Sequence, residues 1–300
     1  MHGFSTANPP PGVAGIGEIL WDVFPQSRRP GGAPANFSYI AHKLGALSYP
    51  VSMVGDDEDG AMLRQYLAGL GLTDRYVRTD IRHATGRVDI QLSEDGIPRY
   101  KIMENAAWDH IGADDDLYLL AGRLDAVCFG TLAQRNEVSR STITEFVRRT
   151  PEEAIRLLDI NLRQDYFNAE IIENSLHLSD WLKLNDEELS AVCELFGYTG
   201  STDNRLTAIY TQYNLKVIAL TLGKEGSRVI GQDTDYRLSP DRIRIRDTVG
   251  AGDAFSAALL VASLAGFPLE AAHEKAAEMA SFLCGHTGAT PDIPERFRLF

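Results

Sequence analysis

The sequence predicts an α/β fold with a mostly parallel central sheet covered by helices, and three observations point there. Short β-rich runs alternate with helix-patterned segments along most of the chain. Those runs are continuously apolar, as in strands buried on both faces. One segment, residues 86–102, departs from the rhythm by alternating apolar and polar residues around a turn.

In order, "VAGIGEIL" reads as a strand, "APANFSYIAHKLG" as a helix, "YPVSMVG" as a strand and "GAMLRQYLAGLG" as a helix. The acidic run "DDEDG" at 56–60 lacks the further ligands of a calcium loop and is expected to cap that helix. The segment "GRVDIQLSEDGIPRYKI" reads as a hairpin, either an edge decoration or a lid over a site at the strand ends. Further apolar strands fall at "LDAVCFG" (124–130), "RLLDIN" (156–161), "WLKLN" (181–185) and "KVIALTLG" (216–223). The run from Ala254 to Leu269 is broken by Ser256, Ser263, Gly266 and Pro268 and falls short of the ~20 residues of a membrane span, so it reads as a buried core helix.

A chain of 300 residues that is 44% hydrophobic suffices for one large domain or two smaller ones with a substantial core. Its 29 basic residues against 42 acidic ones give a net charge of −13, which argues against nucleic acid and anionic membranes as partners. Cys128, Cys193 and Cys284 are odd in number and widely spaced, which suits buried thiols in a reducing cytoplasm. The opening "MHGFSTANPPPG" has no basic region followed by an apolar core and reads as a flexible tail over residues 1–12 rather than a secretory signal.

Several motifs are excluded by spacing. In "GVAGIGE" the last glycine of a dinucleotide-binding G-x-G-x-x-G is replaced by Leu20, and "LGKEGS" lacks the flanking residues of a P-loop. The seven histidines have no metal-ligand spacing, and no G-x-S-x-G is present.

Other stretches carry chemistry. In "DTVGAGDAF" (247–255) two glycines and Asp253 precede the apolar helix. The amide groups at such a helix start are unpaired and favour negative charge, so Asp253 either caps the helix or stands beside a phosphoryl-binding turn to take a proton. "GEILWDVFP" places Asp22 toward the end of a first strand, where open α/β sheets bind ligands, or as a loop acid. "GGAPANF" sets Gly31 and Gly32 before a helix bearing Asn36, which suits a polyhydroxyl ligand or a glycine turn with a buried amide. In "DINLR", Asp159, Asn161 and Arg163 share one face if the strand persists. "KLNDEELS" offers Asn185 and Glu188 for a magnesium ion held through water, or for a capping box.

Taken in order, "GGAPANF", "DINLR", "LNDEE", "TLGKEGS" and "DTVGAGDAF" resemble the ribokinase-like (PfkB) family of carbohydrate kinases from about Gly15 to about Pro294. The resemblance implies a single domain with a three-layer α/β/α sandwich, a small β lid from about 20–30 and 84–105, and ATP-dependent phosphorylation of a sugar hydroxyl. By position, Asp253 resembles the family's catalytic base, and Gly250, Ala251 and Gly252 its anion hole. Asp22, Gly31, Gly32 and Asn36 correspond to sugar-binding positions, and Asn161 and Arg163 of "DINLR" are counted with them. Asn185 and Glu188 match a motif associated with magnesium and phosphate, while Thr221, Gly223 and Gly226 fall where the family lines the nucleotide site. Asp247 and the carbonyl of Val249 fall where many relatives hold a monovalent cation, so potassium is a weaker expectation than ATP and magnesium.

Within the family, "GEILWDVFP", "GGAPANF", "ENAAWDHI" and "DINLR" look most like fructokinases, with fructose 6-phosphate as product. Trp108 and the 86–102 hairpin are expected to close over the sugar and exclude water, with a core tryptophan as the alternative. Other readings are a kinase of 2-keto-3-deoxygluconate, ribose or a nucleoside, or a catalytically silent sugar-binding regulator. The expected partner is a small-molecule sugar, and the resemblance is compatible with a homodimer.

Overall fold

A computed structural model describes residues 9–92, 98–239 and 244–300. The first part of the chain forms β1 (Gly12–Ile16), β2 (Leu20–Phe24), β3 (Ser27–Gly31), α1 (Ala33–Lys43), β4 (Leu47–Gly55), α2 (Glu58–Gly69), β5 (Val77–Asp80), β6 (Gly86–Leu92) and β7 (Pro98–Ile102). There follow α3 (Asp115–Ala121), β8 (Ala126–Phe129), α4 (Glu137–Arg148), β9 (Ile155–Asp159), α5 (Ala169–Leu178), β10 (Trp181–Asn185), α6 (Asp186–Phe196) and α7 (Thr202–Gln212). The last part forms β11 (Val217–Thr221), β12 (Ser227–Gly231), β13 (Thr234–Leu238), α8 (Ala251–Leu264) and α9 (Leu269–Cys284).

Nine strands make the main sheet in the order β13-β12-β11-β10-β9-β8-β1-β4-β5. From β11 to β5 every neighbouring pair is parallel, and β12 and β13 extend that sheet as an antiparallel edge. Alternate residues of each strand enter different cores. Ala14, Val127, Leu158, Leu182 and Ile218 pack with α3 to α7 on one face, while Val13, Cys128, Leu157, Trp181 and Val217 pack with α1, α2, α8 and α9 on the other. This is the α/β/α sandwich, and the double burial explains the unbroken hydrophobicity of the strands. A buried leucine or isoleucine in such a core contributes roughly 1.5–3 kcal/mol.

A second sheet of four strands, β3-β2-β6-β7, stands apart from the first. It joins the hairpin β2–β3 to the hairpin β6–β7 through a parallel β2–β6 pair. The "EDG" turn of the second hairpin lies outside the described residues.

Three expectations require correction. The predicted strand "VAGIGEIL" is two strands in two sheets, because Gly17 has φ +150° and packs so closely that a Cβ there would lie 2.8 Å from Pro34 Cγ. Asp22 therefore sits in the middle of β2 on the small sheet, not toward the end of a main-sheet strand. The predicted tail over 1–12 is too long, since Gly12 begins β1 and the Pro11 carbonyl accepts the Leu47 N–H at 2.9 Å. In "DINLR" the strand stops at Asp159 and Asn161 adopts φ +43°, which breaks the alternation that would have put Asp159, Asn161 and Arg163 on one face.

Candidate active site

The carboxyl ends of β1, β8 and β9 and the N-terminus of α8 surround a cleft whose lining includes Glu18, Cys128, Gly130, Thr131, Asp159, Asn161 and Asp253. Gly250 is the N-cap residue of α8, with φ +78°, and a Cβ on it would lie 2.6 Å from Ala289 Cβ. Only glycine fits that turn without strain. Gly250, Ala251 and Gly252 thus present the start of a helix whose first amides are not capped by a side chain. Asp253 lies in the first turn rather than at the N-cap, so the capping role is not what the structure shows. Its Oδ2 instead accepts a hydrogen bond from Asn36 Nδ2 on α1 at 2.8 Å. Burial and the neighbouring Asp159 push the Asp253 carboxyl up to about 6, against the opposing pull of Asn36, Lys183 and Arg163.

Beneath this turn lies an ion pair that sequence reading missed. Lys183, inside the apolar strand β10, donates from Nζ to Asp159 Oδ1 at 3.0 Å, and Ser256 Oγ of α8 donates to Asp159 Oδ2 at 2.8 Å. A Cβ on Gly252 would come within 2.8 Å of Lys183 Nζ, so the bare backbone of the turn rests on the ammonium. Burial would depress the lysine, but Asp159 and Glu188 outweigh it and hold the ammonium above its ordinary value. The available signal was a lysine at a core-strand position in "WLKLN", where a cation survives only if paired.

Glu18 was also missed. It is 4% exposed, its carboxylate lies 3.4 Å from the Ala33 N–H, and burial pushes it up to about 7. Its backbone carbonyl blocks any side chain at Gly32, whose φ is +117°. A Cβ on Gly31 would lie 2.6 Å from Asp22 Oδ2, so the glycine pair allows Asp22 and Glu18 to approach the start of α1. Burial raises the Asp22 carboxyl, with Arg163 and Arg29 opposing. Arg163 thus acts electrostatically on Glu18, Asp22 and Asp253 together.

Trp108 does not join this group. It is fully buried in the core, with the Arg135 guanidinium 4.1 Å over its ring, so it presents no surface to a ligand and the core reading prevails. Arg135 is itself locked to Asp109 at 2.7 Å, which explains the burial of both charges.

Asn185 and Thr221 are register partners at the carboxyl ends of β10 and β11. The capping-box reading of "LNDEE" is realised: Asn185 Oδ1 accepts the Glu188 N–H at 2.8 Å, and Glu188 Oε2 accepts the Asn185 N–H at 2.8 Å. Glu188 Oε1 also accepts the Leu162 N–H at 3.1 Å. No group of three or more metal-ligating side chains is present among the described residues. A carboxylate already holding two amides suits a magnesium ion bound mainly by phosphate and water, which is how that ion is ordinarily held. Gly223 and Gly226 have φ +54° and +97° in the β11–β12 connection. Asp247 Oδ1 accepts the Val249 N–H at 3.1 Å and Oδ2 the Gly288 N–H at 3.0 Å, which brings the C-terminal segment against the α8 turn.

Residues 17–296 match the model of the pfkB family of carbohydrate kinases. The chain is 28% identical over 259 residues to a fructokinase from Escherichia coli, covering 82% of each. Its fold superposes on a fructokinase with bound ATP from Xylella fastidiosa with a TM-score of 0.83 at 19% identity, covering 93% of this chain and 94% of the other. A double-mutant fructokinase from Vibrio cholerae O395, in its fructose-, ADP- and potassium-bound form, superposes with a TM-score of 0.80 at 21% identity, covering 96% of each chain. No helix among the described residues is long and apolar enough to cross a membrane. With a family match that runs through nearly the whole chain, the protein belongs to the pfkB family of carbohydrate kinases.

Proposed function

We propose that this kinase transfers the γ-phosphoryl group of ATP to a terminal hydroxyl of fructose, giving fructose 6-phosphate and ADP. The observation that carries the reading is the Asn36–Asp253 hydrogen bond, which joins the glycine-led helix α1 to the uncapped turn of α8 in one cleft. Asp253 accepts the proton of the attacking hydroxyl. The hydroxyl oxygen then bonds to the γ-phosphorus as the bond to the bridging β–γ oxygen breaks, and ADP departs. With a carboxyl near 6, Asp253 is mostly ionised at pH 7 and close enough to that pH to be an effective base.

The transition state of phosphoryl transfer spreads charge over the equatorial oxygens, so catalysis rests on positioning and electrostatics. The amides of Gly250, Ala251 and Gly252 receive that charge, and the Lys183 ammonium beneath Gly252 adds to the positive field. Asp22, Gly31, Gly32, Asn36, Asn161 and Arg163 form the sugar side. Thr221, Gly223 and Gly226, with Asn185, form the nucleotide side. Glu188 would hold a magnesium ion through water, and such an ion would supply charge neutralisation at the phosphate oxygens. Potassium at Asp247 and the Val249 carbonyl is supported by the Vibrio cholerae fructokinase, which carries that ion. The small sheet β3-β2-β6-β7 acts as a lid against water. Three unpaired cysteines support a reducing, cytoplasmic setting.

Fructose is favoured because a curated relative at 28% identity is a fructokinase. The test is ADP release from purified protein with magnesium, ATP and a panel of fructose, ribose, 2-keto-3-deoxygluconate and nucleosides, with and without potassium. Selective turnover of fructose is expected. Turnover confined to another acceptor discards the substrate and keeps the mechanism.

A further inference from the structure

A second concavity lies between α4 and α5 and shares no lining residue with the cleft at Asp253. Arg140, Thr144 and Arg148 follow one another at four-residue intervals along α4, so they share a face. Asn174 and His177 of α5 form the facing wall, and Arg156 enters from β9. The groove has a volume of about 460 Å³, within the range of small-molecule sites, which runs from roughly 300 to 1,000 Å³. Among the described residues no carboxylate lines it, although acidic residues outnumber basic ones 42 to 29 along the chain.

The three guanidinium groups differ in how they are held. Arg156 is fixed by the Thr150 hydroxyl at 3.0 Å, the Thr150 and Pro151 carbonyls at 3.2 and 3.1 Å, and Asp180 at 3.5 Å. Arg140 donates once, to the Gln134 carbonyl at 3.2 Å. Ion pairs nearby are Arg149–Glu145 and Arg156–Asp180, and among the described residues Arg140 and Arg148 join no carboxylate. Helix dipoles do not account for the cluster. Arg148 and His177 do stand in last turns, where cations are favoured, but Arg140 stands near the start of α4, where they are not.

We propose that the α4–α5 groove binds a phosphate-bearing small-molecule anion with two or more phosphoryl groups. Planar guanidinium groups bind phosphoryl oxygens in pairs, and three of them, two from α4 and one from β9, call for more than one anionic group. The groove is small, and a net charge of −13 over the whole chain repels extended polyanions, so a small molecule fits and a nucleic acid or lipid surface does not.

The experiment is calorimetric titration of the full chain with inorganic pyrophosphate for wild type, R140Q/R148Q and the control R82Q/R296Q. The control removes two exposed arginines outside the groove. The expected result is a binding event weakened at least tenfold in R140Q/R148Q and unchanged in the control. Three results overturn the proposal: no binding at millimolar pyrophosphate, binding retained in R140Q/R148Q, or equal loss in the control. Melting temperatures confirm that each variant is folded, and the single R148Q substitution of an exposed side chain replaces the double variant if that one unfolds.

Discussion

Asn36 Nδ2 donates to Asp253 Oδ2 across 2.8 Å, joining side chains 217 residues apart in sequence. The bond stabilises the ionised form of Asp253, which burial and Asp159 push up to about 6. Asp253→Asn should lower kcat by a factor of about 10³ or more, roughly 4 kcal/mol, while sugar and ATP still protect against thermal unfolding. Asn36→Ala removes a donor to the charged form, so the acid limb of the kcat/KM profile should move above its wild-type position near pH 6. Unchanged turnover in Asp253→Asn would remove the base from the mechanism.

Glu18 links the cleft to stability. Its carboxyl is raised by burial from 4.5 in a model peptide to about 7 in the folded chain. Between those values the folded state binds the proton and the unfolded state does not, so stability is fully present below about pH 4.5 and falls as pH rises through about 7. Glu18→Gln, which cannot ionise, should therefore gain stability over wild type at pH 8, on the order of 3 kcal/mol, and gain little at pH 4.5. Urea unfolding at the two pH values checks this. A gain that is the same at both would show that ionisation of Glu18 is not the cause.

Lys183 and Asp159 form a buried pair, with both side chains less than a tenth exposed. Lys183→Met leaves Asp159 an uncompensated buried charge, and losses of about 3–5 kcal/mol are typical of such a break. Lys183→Met/Asp159→Asn should lose less than the sum of its single variants, because the pair is removed together. Additive losses in denaturant unfolding would contradict direct coupling.

How much of this was legible depends on whether the deciding contact is local. The main sheet was readable because burial on both faces imprints a continuous apolar run on each strand, as in "WLKLN" and "LDAVCFG". The split between β1 and β2 was not, because it depends on Gly17 meeting Pro34. Asp253 stood out through its own neighbours in "GAGD", whereas the role of Lys183 depends on Asp159, 24 residues away, and on Ser256 of α8. Trp108 was read either as closing over the sugar with the 86–102 hairpin or as a core tryptophan, and the core reading holds because Arg135 stacks on it and both are buried.

Gly250 is the position where the backbone itself is under test. Its φ of +78° is the left-handed region, and a Cβ would lie 2.6 Å from Ala289 Cβ and 2.8 Å from Ala289 Cα. Gly250→Ala therefore meets both a conformational cost of roughly 1–2 kcal/mol and a steric one that only movement of the C-terminal segment relieves. That movement is resisted, because Gly288 donates to Asp247 at 3.0 Å and the Pro291 carbonyl accepts from Tyr39 at 2.7 Å. The variant should lose stability by about 1–3 kcal/mol and lose turnover by a larger factor than its affinity for sugar, since the displaced amides are those proposed to receive the phosphoryl charge. Gly250→Ala/Ala289→Gly relieves the contact with Cβ but neither the one with the Cα of residue 289 nor the dihedral strain, so it should recover part of the stability and less of the turnover. Equal loss of kcat and sugar binding in steady-state kinetics would instead mean that the turn shapes the whole cleft.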